Sequence, residues 1–281
     1  MPSSLVAERT KGDLNPRQAE DAGVRPGGRR TARVFTVGRT LLGVVILAGA
    51  WEILPRTGLV DPQFVTPFHD VVRAWWQMLT DGELWQQVRP SLVRAAAGFG
   101  LAIGIGVPLG AMIAWYRVVR EVATPVLEIF RNTAALAILP VFILVFGIGE
   151  TSKVVIVCYA CLFPILLNTV SGIASVDQQL LRTARVLGLS PVKTFLQVAL
   201  PAALPTIFTG IRIAGAASVL VLIAAEMVGA TAGLGYFINY AQTTYLIPQM
   251  YAAILTTTLL GLAVNYGLIA LEKRFSRWRT A

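Results

Sequence analysis

Arg182-Thr-Ala-Arg-Val-Leu-Gly188-Leu-Ser-Pro-Val-Lys-Thr-Phe-Leu-Gln-Val198-Ala-Leu-Pro201 is a polar, helix-competent stretch set between two very apolar ones. Its punctuation predicts two short helices with a break between them. Asp177 stands as N-cap ahead of the first, where Leu180, Ala184 and Leu187 share one face at helical spacing. Gly188 falls where a helix C-terminus favours positive φ. Ser190 and Pro191 supply the N-cap and first-turn proline of the second helix. Val192, Phe195, Leu196 and Ala199 form its apolar stripe, and Leu200, preceding Pro201, is expected to leave helical geometry. An amphipathic elbow displayed beside a membrane is a handle for a soluble partner.

The flanking sequence supplies the membrane. Of 281 residues, 55% are hydrophobic and 14% charged, far too apolar for a soluble domain of this length. A bilayer span needs roughly 20 apolar residues. Six segments qualify, near 37–56, 92–115, 123–147, 152–175, 203–228 and 250–271. The first is the shortest, with Glu52, Pro55 and Arg56 crowding its end, and the 36-residue polar leader argues against a signal peptide. The expected fold is all-α: a polytopic membrane helix bundle with six transmembrane helices.

The net charge of +9 invites a nucleic-acid reading, and the distribution of the charge argues against it. Basic residues gather in the tail up to Arg39, at Arg117 and Arg120, at Arg182, Arg185 and Lys193, and at Lys273, Arg274, Arg277 and Arg279. The alternate loops hold Arg73, Arg89 and Lys153. By the positive-inside rule both termini are cytoplasmic, and the basic excess is a topology signal. Contact of the tails with anionic membrane lipid is a secondary expectation.

Residues 1–36 read as a disordered cytoplasmic tail and 37–60 as an N-terminal transmembrane helix. Residues 61–90 form an outer loop, in which Phe68, Val71, Val72, Trp75, Trp76 and Leu79 predict an interfacial helix with its tryptophans in the headgroup belt. Residues 91–272 form the core, with the elbow loop at 176–201, and 273–281 a cytoplasmic tail. The last outer loop, 229–249, carries no charge, and its glycine-rich run 229–235 is read as flexible. No internal repeat suggests an inverted-repeat secondary transporter.

Charges inside a bilayer are costly and mark candidate sites. Glu128 and Arg131 lie three apart on one helical face and can pair. Arg212 either snorkels or bonds across a dimer. Glu226, near the outer end of span five, reads equally as a pathway or gate residue and as a cap of the glycine-rich loop. Cys158 and Cys161 form a C-x-x-C with no second pair, and His69 is the single histidine, so small apolar packing is favoured over a metal or redox site. The glycines Gly98, Gly104, Gly106 and Gly110 permit close helix packing, and Pro140 and Pro164 are candidate bends. No phosphate-binding loop occurs. An ATP-driven process would therefore draw its energy through a partner.

The elbow also resembles the signature loop of ABC importer permeases, E-A-A, three residues, Gly, nine residues, Ile-x-Leu-Pro. Gly188, Leu200 and Pro201 match it in spacing, and Val198 replaces the Ile. Arg182 and Thr183 stand where the pattern has Glu and Ala, while Ala184 matches. Ser91-Leu-Val-Arg94 with Gly98, Gly104, Pro108 and Gly110 resembles the second core helix of the nitrate, sulfonate and taurine type of permease. Leu139-Pro140 through Gly147-Ile-Gly-Glu150-Thr-Ser-Lys153 is similar to its third helix and outer turn. Phe163-Pro164 with Asn168 resembles its fourth helix, and Ala225-Glu226 with Gly233-Leu-Gly235-Tyr the end of its fifth. The resemblance spans about residues 65–275.

It implies a type I ABC importer permease (MetI-like) in a bacterial cytoplasmic (inner) membrane. It also implies a permease homodimer, two cytoplasmic ABC ATPase subunits and an extracytoplasmic substrate-binding protein. The chain itself would be non-catalytic and bind no cofactor or metal, ATP and Mg being used by the ATPase. The coupling contact would comprise Arg182, Thr183, Ala184, Gly188, Leu189, Ser190, Pro191, Phe195, Leu196, Leu200 and Pro201, with Arg131, Asn168, Arg212 and Glu226 as path or gate candidates. Aliphatic sulfonate is the favoured cargo; taurine, nitrate, bicarbonate and a pyrimidine vitamin precursor are alternatives. An ATP-independent carrier or channel, and a membrane enzyme built on Glu226 or the cysteines, are the rivals of other classes.

Overall fold

The computed structural model describes residues 42–43, 45–58 and 64–275. Every regular element among them is helical. Helical residues 45–53 run into a short 3-10 turn, Leu54–Thr57, closed by Gly58. There follow α1 (Phe68–Thr80), α2 (Glu83–Trp115), α3 (Arg117–Arg131), α4 (Ala135–Phe146) and α5 (Glu150–Ala174). α6 (Gln178–Val186) precedes a continuous α7 (Pro191–Glu226), then α8 (Leu234–Thr243) and α9 (Ile247–Phe275). Residues 1–36, read as a disordered tail, lie outside the described residues, as do the start of the first expected span and residues 276–281 of the C-terminal tail.

Helices α2, α5, α7 and α9 are each long and apolar enough to cross a bilayer. The expected third span is not one rod: α3 and α4 meet at 96°. The bend lies at Asn132-Thr133-Ala134, upstream of Pro140. There Asn132 Nδ2 donates to Glu128 O (2.7 Å) and Thr133 Oγ1 to Ile129 O (3.1 Å), so side chains occupy the carbonyls that would otherwise carry the helix on. α2 begins at Glu83, earlier than the expected 92, because polar Gln86, Gln87 and Arg89 extend the helix beyond its apolar stretch.

The core is the contact of α2, α5 and α7. Gly98, Ala102, Gly106 and Gly110 recur every fourth residue on the α2 face that meets α5, and they let the two backbones close together. A Cβ on Gly98 would lie 2.7 Å from both Val154 O and Val157 Cβ; one on Gly110 would lie 2.8 Å from Leu166 O. Cys161 is buried here and its Sγ–H donates to Ala214 O (3.3 Å), a packing role in α5.

A second cluster sits beyond the far end of the bundle, opposite the elbow. Val71, Ala74 and Met78 of α1 pack with Leu234, Phe237 and Ala241 of α8 and Ala252 and Ala253 of α9. α1 is thus the helix expected from its apolar spacing, with a different inner face. Trp75 is half-buried and bonds Thr256 Oγ1 (3.1 Å), while Val72, Trp76 and Leu79 point outward. The outer segment 229–249 is not all loop: α8 occupies Leu234–Thr243 and buries Leu234, Phe237, Ile238 and Ala241. His69 Nδ1 lies 2.9 Å from Glu52 Oε1, tying the start of α1 to the N-terminal helix.

Gly98→Ala is expected to destabilise the detergent-solubilised protein by about 1–3 kcal/mol through overpacking. Gly100→Ala, with nothing within 4 Å of the added carbon, is expected to be neutral or slightly stabilising. Paired thermal melts would check this.

Candidate functional site

The elbow is built by capping chemistry. Asp177 Oδ1 accepts from Gln179 N–H (2.8 Å) and starts α6. At its other end Gly188 takes φ +76°, Gly188 N–H donates to Arg185 O (3.0 Å), and Leu189 N–H donates to Ala184 O (3.1 Å). That pair of bonds is the Schellman closure, and the positive φ explains the glycine. Ser190 Oγ accepts from Lys193 N–H (3.4 Å), and Pro191 opens α7.

The second elbow helix does not end at Leu200. It passes through a π-helical turn, Phe195–Ala199, into the long apolar part of α7, and Leu200 is helical at φ −63°, ψ −47°. A proline ring normally collides with the carbonyl four residues before it. The wider π turn accommodates Pro201, so the expected break before it is absent.

Phe195 packs edge-on against Trp115 at the end of α2, with ring centroids 5.0 Å apart. Ala184, Thr194 and Ala199 are buried, and Leu189, Leu200 and Pro201 are half-buried. Inward from α6 it is Leu181 that packs on the core, in place of the expected Leu180 and Leu187. Val186 and Leu187 are 86% and 73% exposed, and Leu180, Val192 and Leu196 are also exposed. Arg182, Thr183 and Arg185 lie among them, exposed. The surface is apolar with a basic rim, the composition of a partner contact.

At the far end lies a network that the sequence reading did not assemble. Glu226, the last residue of α7, is fully buried. Its carboxylate accepts from Ser91 Oγ (2.7 Å), Arg94 Nη1 (2.6 Å) and Gly235 N–H (3.0 Å). Arg94, 4% exposed, donates further to Ala232 O (2.7 Å) and pairs through Nε and Nη2 with Glu150, which is 67% exposed. Lys153 Nζ donates to Gly149 O (3.0 Å) and Gly229 O (3.3 Å). Gln87 Oε1 accepts from Gly233 N–H and Ser91 Oγ from Leu234 N–H, each at 2.9 Å. Two cations and two carboxylates balance, and the glycine-rich run is bonded to them along its length. Gly233 has φ +124°, and a Cβ there would lie 2.5 Å from the Glu226 carboxylate.

The four path candidates are not brought together. Glu226 caps the 229–235 run through Gly235 N–H, one of its two expected roles. Arg212 pairs with Glu272 of α9 (3.1 Å) in the same chain. Asn168 Nδ2 donates to Pro164 O (2.8 Å), beside the close approach of Gly210. Arg131 pairs with Glu128 (2.9 Å) as expected, at the α3–α4 bend. Among the described residues no group of three or more His, Cys, Asp or Glu is placed to hold a metal ion. The missed residue with a readable signal is Arg94, a lone cation inside an apolar run, three residues after Ser91 on the same face.

Residues 106–279 match the family described as binding-protein-dependent transport system inner membrane component. The chain belongs to this family. The permease is 30% identical over 277 residues to the putative aliphatic sulfonates transport permease protein SsuC of Bacillus subtilis, covering 99% of each chain. It is 32% identical over 240 residues to the taurine transport system permease protein TauC of Escherichia coli, covering 84% of the permease and 87% of TauC. Among solved structures, the inward-facing MetNI methionine ABC transporter aligns at TM-score 0.60 and 18% identity, over 68% of the permease and 95% of that chain. The fold is that of a MetI-like type I ABC permease.

Removing one partner of the buried pair strands the other. Arg94→Met is expected to cost roughly 3–5 kcal/mol by leaving Glu226 unpaired, and Arg94→Met with Glu226→Leu to recover part of that. Thermal stability of the purified permease and protease sensitivity of the 229–235 run would measure both. Gly233→Ala is expected to increase that sensitivity with Arg94 and Glu226 intact.

Proposed function

We propose that this permease is the transmembrane subunit of an ATP-driven importer for small oxyanions, with aliphatic sulfonate as favoured cargo. The observation that carries the reading is the elbow: a capped helix pair that leaves large apolar side chains in solvent and continues into a membrane-spanning helix without interruption. The basic turn at Arg117 and Arg120 accompanies the elbow, so the positive-inside rule puts this end in the cytoplasm and the Glu226 end outside. Both chain termini are then cytoplasmic, and the membrane is a bacterial inner membrane. The partners are a second copy of the permease, two cytoplasmic ATPase subunits that use ATP and Mg, and an external binding protein that delivers the cargo. The names of the sulfonate and taurine relatives support the oxyanion assignment.

In this mechanism the closing ATPase pair carries the elbows, Thr183–Leu196, with it. The elbow helix is the first part of α7, so the displacement enters the bundle directly. The permease halves open outward, accept cargo from the binding protein, and return inward after hydrolysis. This chain performs no bond-making step.

The test is ATP hydrolysis by the reconstituted complex with cognate ATPase and binding protein, against alkanesulfonates, taurine and nitrate. Stimulation by one loaded binding protein is expected. Leu187→Glu, which puts a charge on a side chain that supports nothing inside the permease, is expected to weaken ATPase copurification ~10-fold or more, about 1.4 kcal/mol. Gly188→Pro, which forbids the positive φ, is expected to abolish stimulation. Transport that persists without an ATPase partner would sink the importer reading and favour an autonomous carrier.

A further inference from the structure

The bend between α3 and α4 encloses something neither the elbow nor the Glu226 network uses. A cavity of about 320 Å³ opens beside it, lined by Phe130, Arg131, Thr133, Tyr159, Phe163 and Val221 among others. That volume lies at the lower end of the ~300–1,000 Å³ typical of small-molecule sites. Three aromatic rings wall it. Tyr159 meets Phe163 edge-on at 5.2 Å, and Phe130 lies nearly parallel to Phe163 at 6.3 Å. α4 has 12 residues, about 18 Å of helix, so by itself it covers only part of a hydrocarbon core ~30 Å thick.

Arg131 is the cation of this cavity. It donates one hydrogen bond to a described residue, Glu128 Oε2 at 2.9 Å, and its side chain stays half-exposed. A guanidinium has five N–H donors, so donors on Arg131 remain for an anion in the cavity. The other polar groups are turned to the backbone: Thr133 Oγ1 donates to Ile129 O (3.1 Å) and Tyr159 Oη to Phe130 O (3.4 Å). The cavity therefore offers one forked cation and a set of apolar walls.

We propose that this cavity is a cargo station within the permease, built for an organic anion with a short apolar body. The oxyanion head pairs with the free edge of Arg131, and the body lies among Phe130, Tyr159 and Phe163. A bare inorganic anion would use the guanidinium and leave the aromatic walls unfilled. Glu128, on the other edge of Arg131, competes for it and weakens the hold. A station must release what it receives, so weak binding fits the role. The inference rests on the transport reading above and assigns the chemical class of its cargo.

The test uses the permease–ATPase complex in nanodiscs, without binding protein, titrated with labelled hexanesulfonate, methanesulfonate and nitrate. Saturable hexanesulfonate binding is expected, weakened ~10-fold or more by Arg131→Gln, less by Arg131→Lys, and strengthened by Glu128→Gln. Phe163→Ala is expected to weaken hexanesulfonate and leave methanesulfonate within about 2-fold, since a one-carbon body reaches few of the walls. Copurification of the ATPase and an unchanged elution volume show that each variant assembles. No saturable binding to the wild type, or binding indifferent to both Arg131→Gln and Phe163→Ala, overturns the station. Sensitivity to Arg131→Gln alone overturns the organic-anion assignment. Binding-protein-stimulated hydrolysis on the same wild-type preparation reads out the importer separately: stimulation without cavity binding overturns the station alone.

Discussion

The buried pairing of Arg94 with Glu226 is the constraint to which much of the far end answers. A carboxylate with no exposed surface at the end of an apolar helix is tolerable only if its charge and its lone pairs are met. Here a guanidinium, a hydroxyl and a backbone N–H meet them. The pairing draws the first third of α2, the end of α7 and the 229–235 run to one point, and Glu150 brings in the start of α5. α8 begins where this network ends, with Leu234 N–H bonded to Ser91. Its buried face then has α1 and α9 to pack against.

Between that point and the elbow the bundle is held by proximity. Residues of α2 at four-residue intervals are small enough for α5 to lie against the backbone, and at Gly98 and Gly110 an added carbon would meet carbonyl oxygens of α5 that cannot move aside. α9 lacks such a face: it contributes few buried residues over most of its length and is joined to α7 near its end by the Arg212–Glu272 pair. Its outward side chains, Leu259, Leu262 and Tyr266, meet the surroundings of the chain.

Local rules read well from the sequence because their partners are neighbours. Asp177, Gly188, Ser190 and Pro191 each act within five residues, and the structure shows the bonds that their types and spacing predict. Apolar runs gave the core spans, but not their ends: polar residues before Ser91 hid the first turns of α2. The break before Pro201 was misjudged because the rule for the residue preceding proline assumes an α turn, and this chain uses a π turn. The Arg94–Glu226 pair was not legible because 132 residues separate its members. Charge balance was the signal within reach, since a cation in an apolar run requires an anion somewhere. The bend at Asn132 was hidden by the uninterrupted hydropathy of the residues after it, although Asn-Thr at that point carries the side chains that divert helix carbonyls.

α7 joins the two ends of this molecule in one piece. Its 36 residues amount to about 54 Å of helix, with the elbow's apolar side chains at one end and Glu226 at the other. A rod of that length is a lever. A tilt of about 5° applied at one end sweeps the other through roughly 5 Å, more than the reach of any hydrogen bond in the Arg94 network. If α7 tilts as one rigid body, a small angular change at the elbow becomes a bond-breaking distance at Glu226.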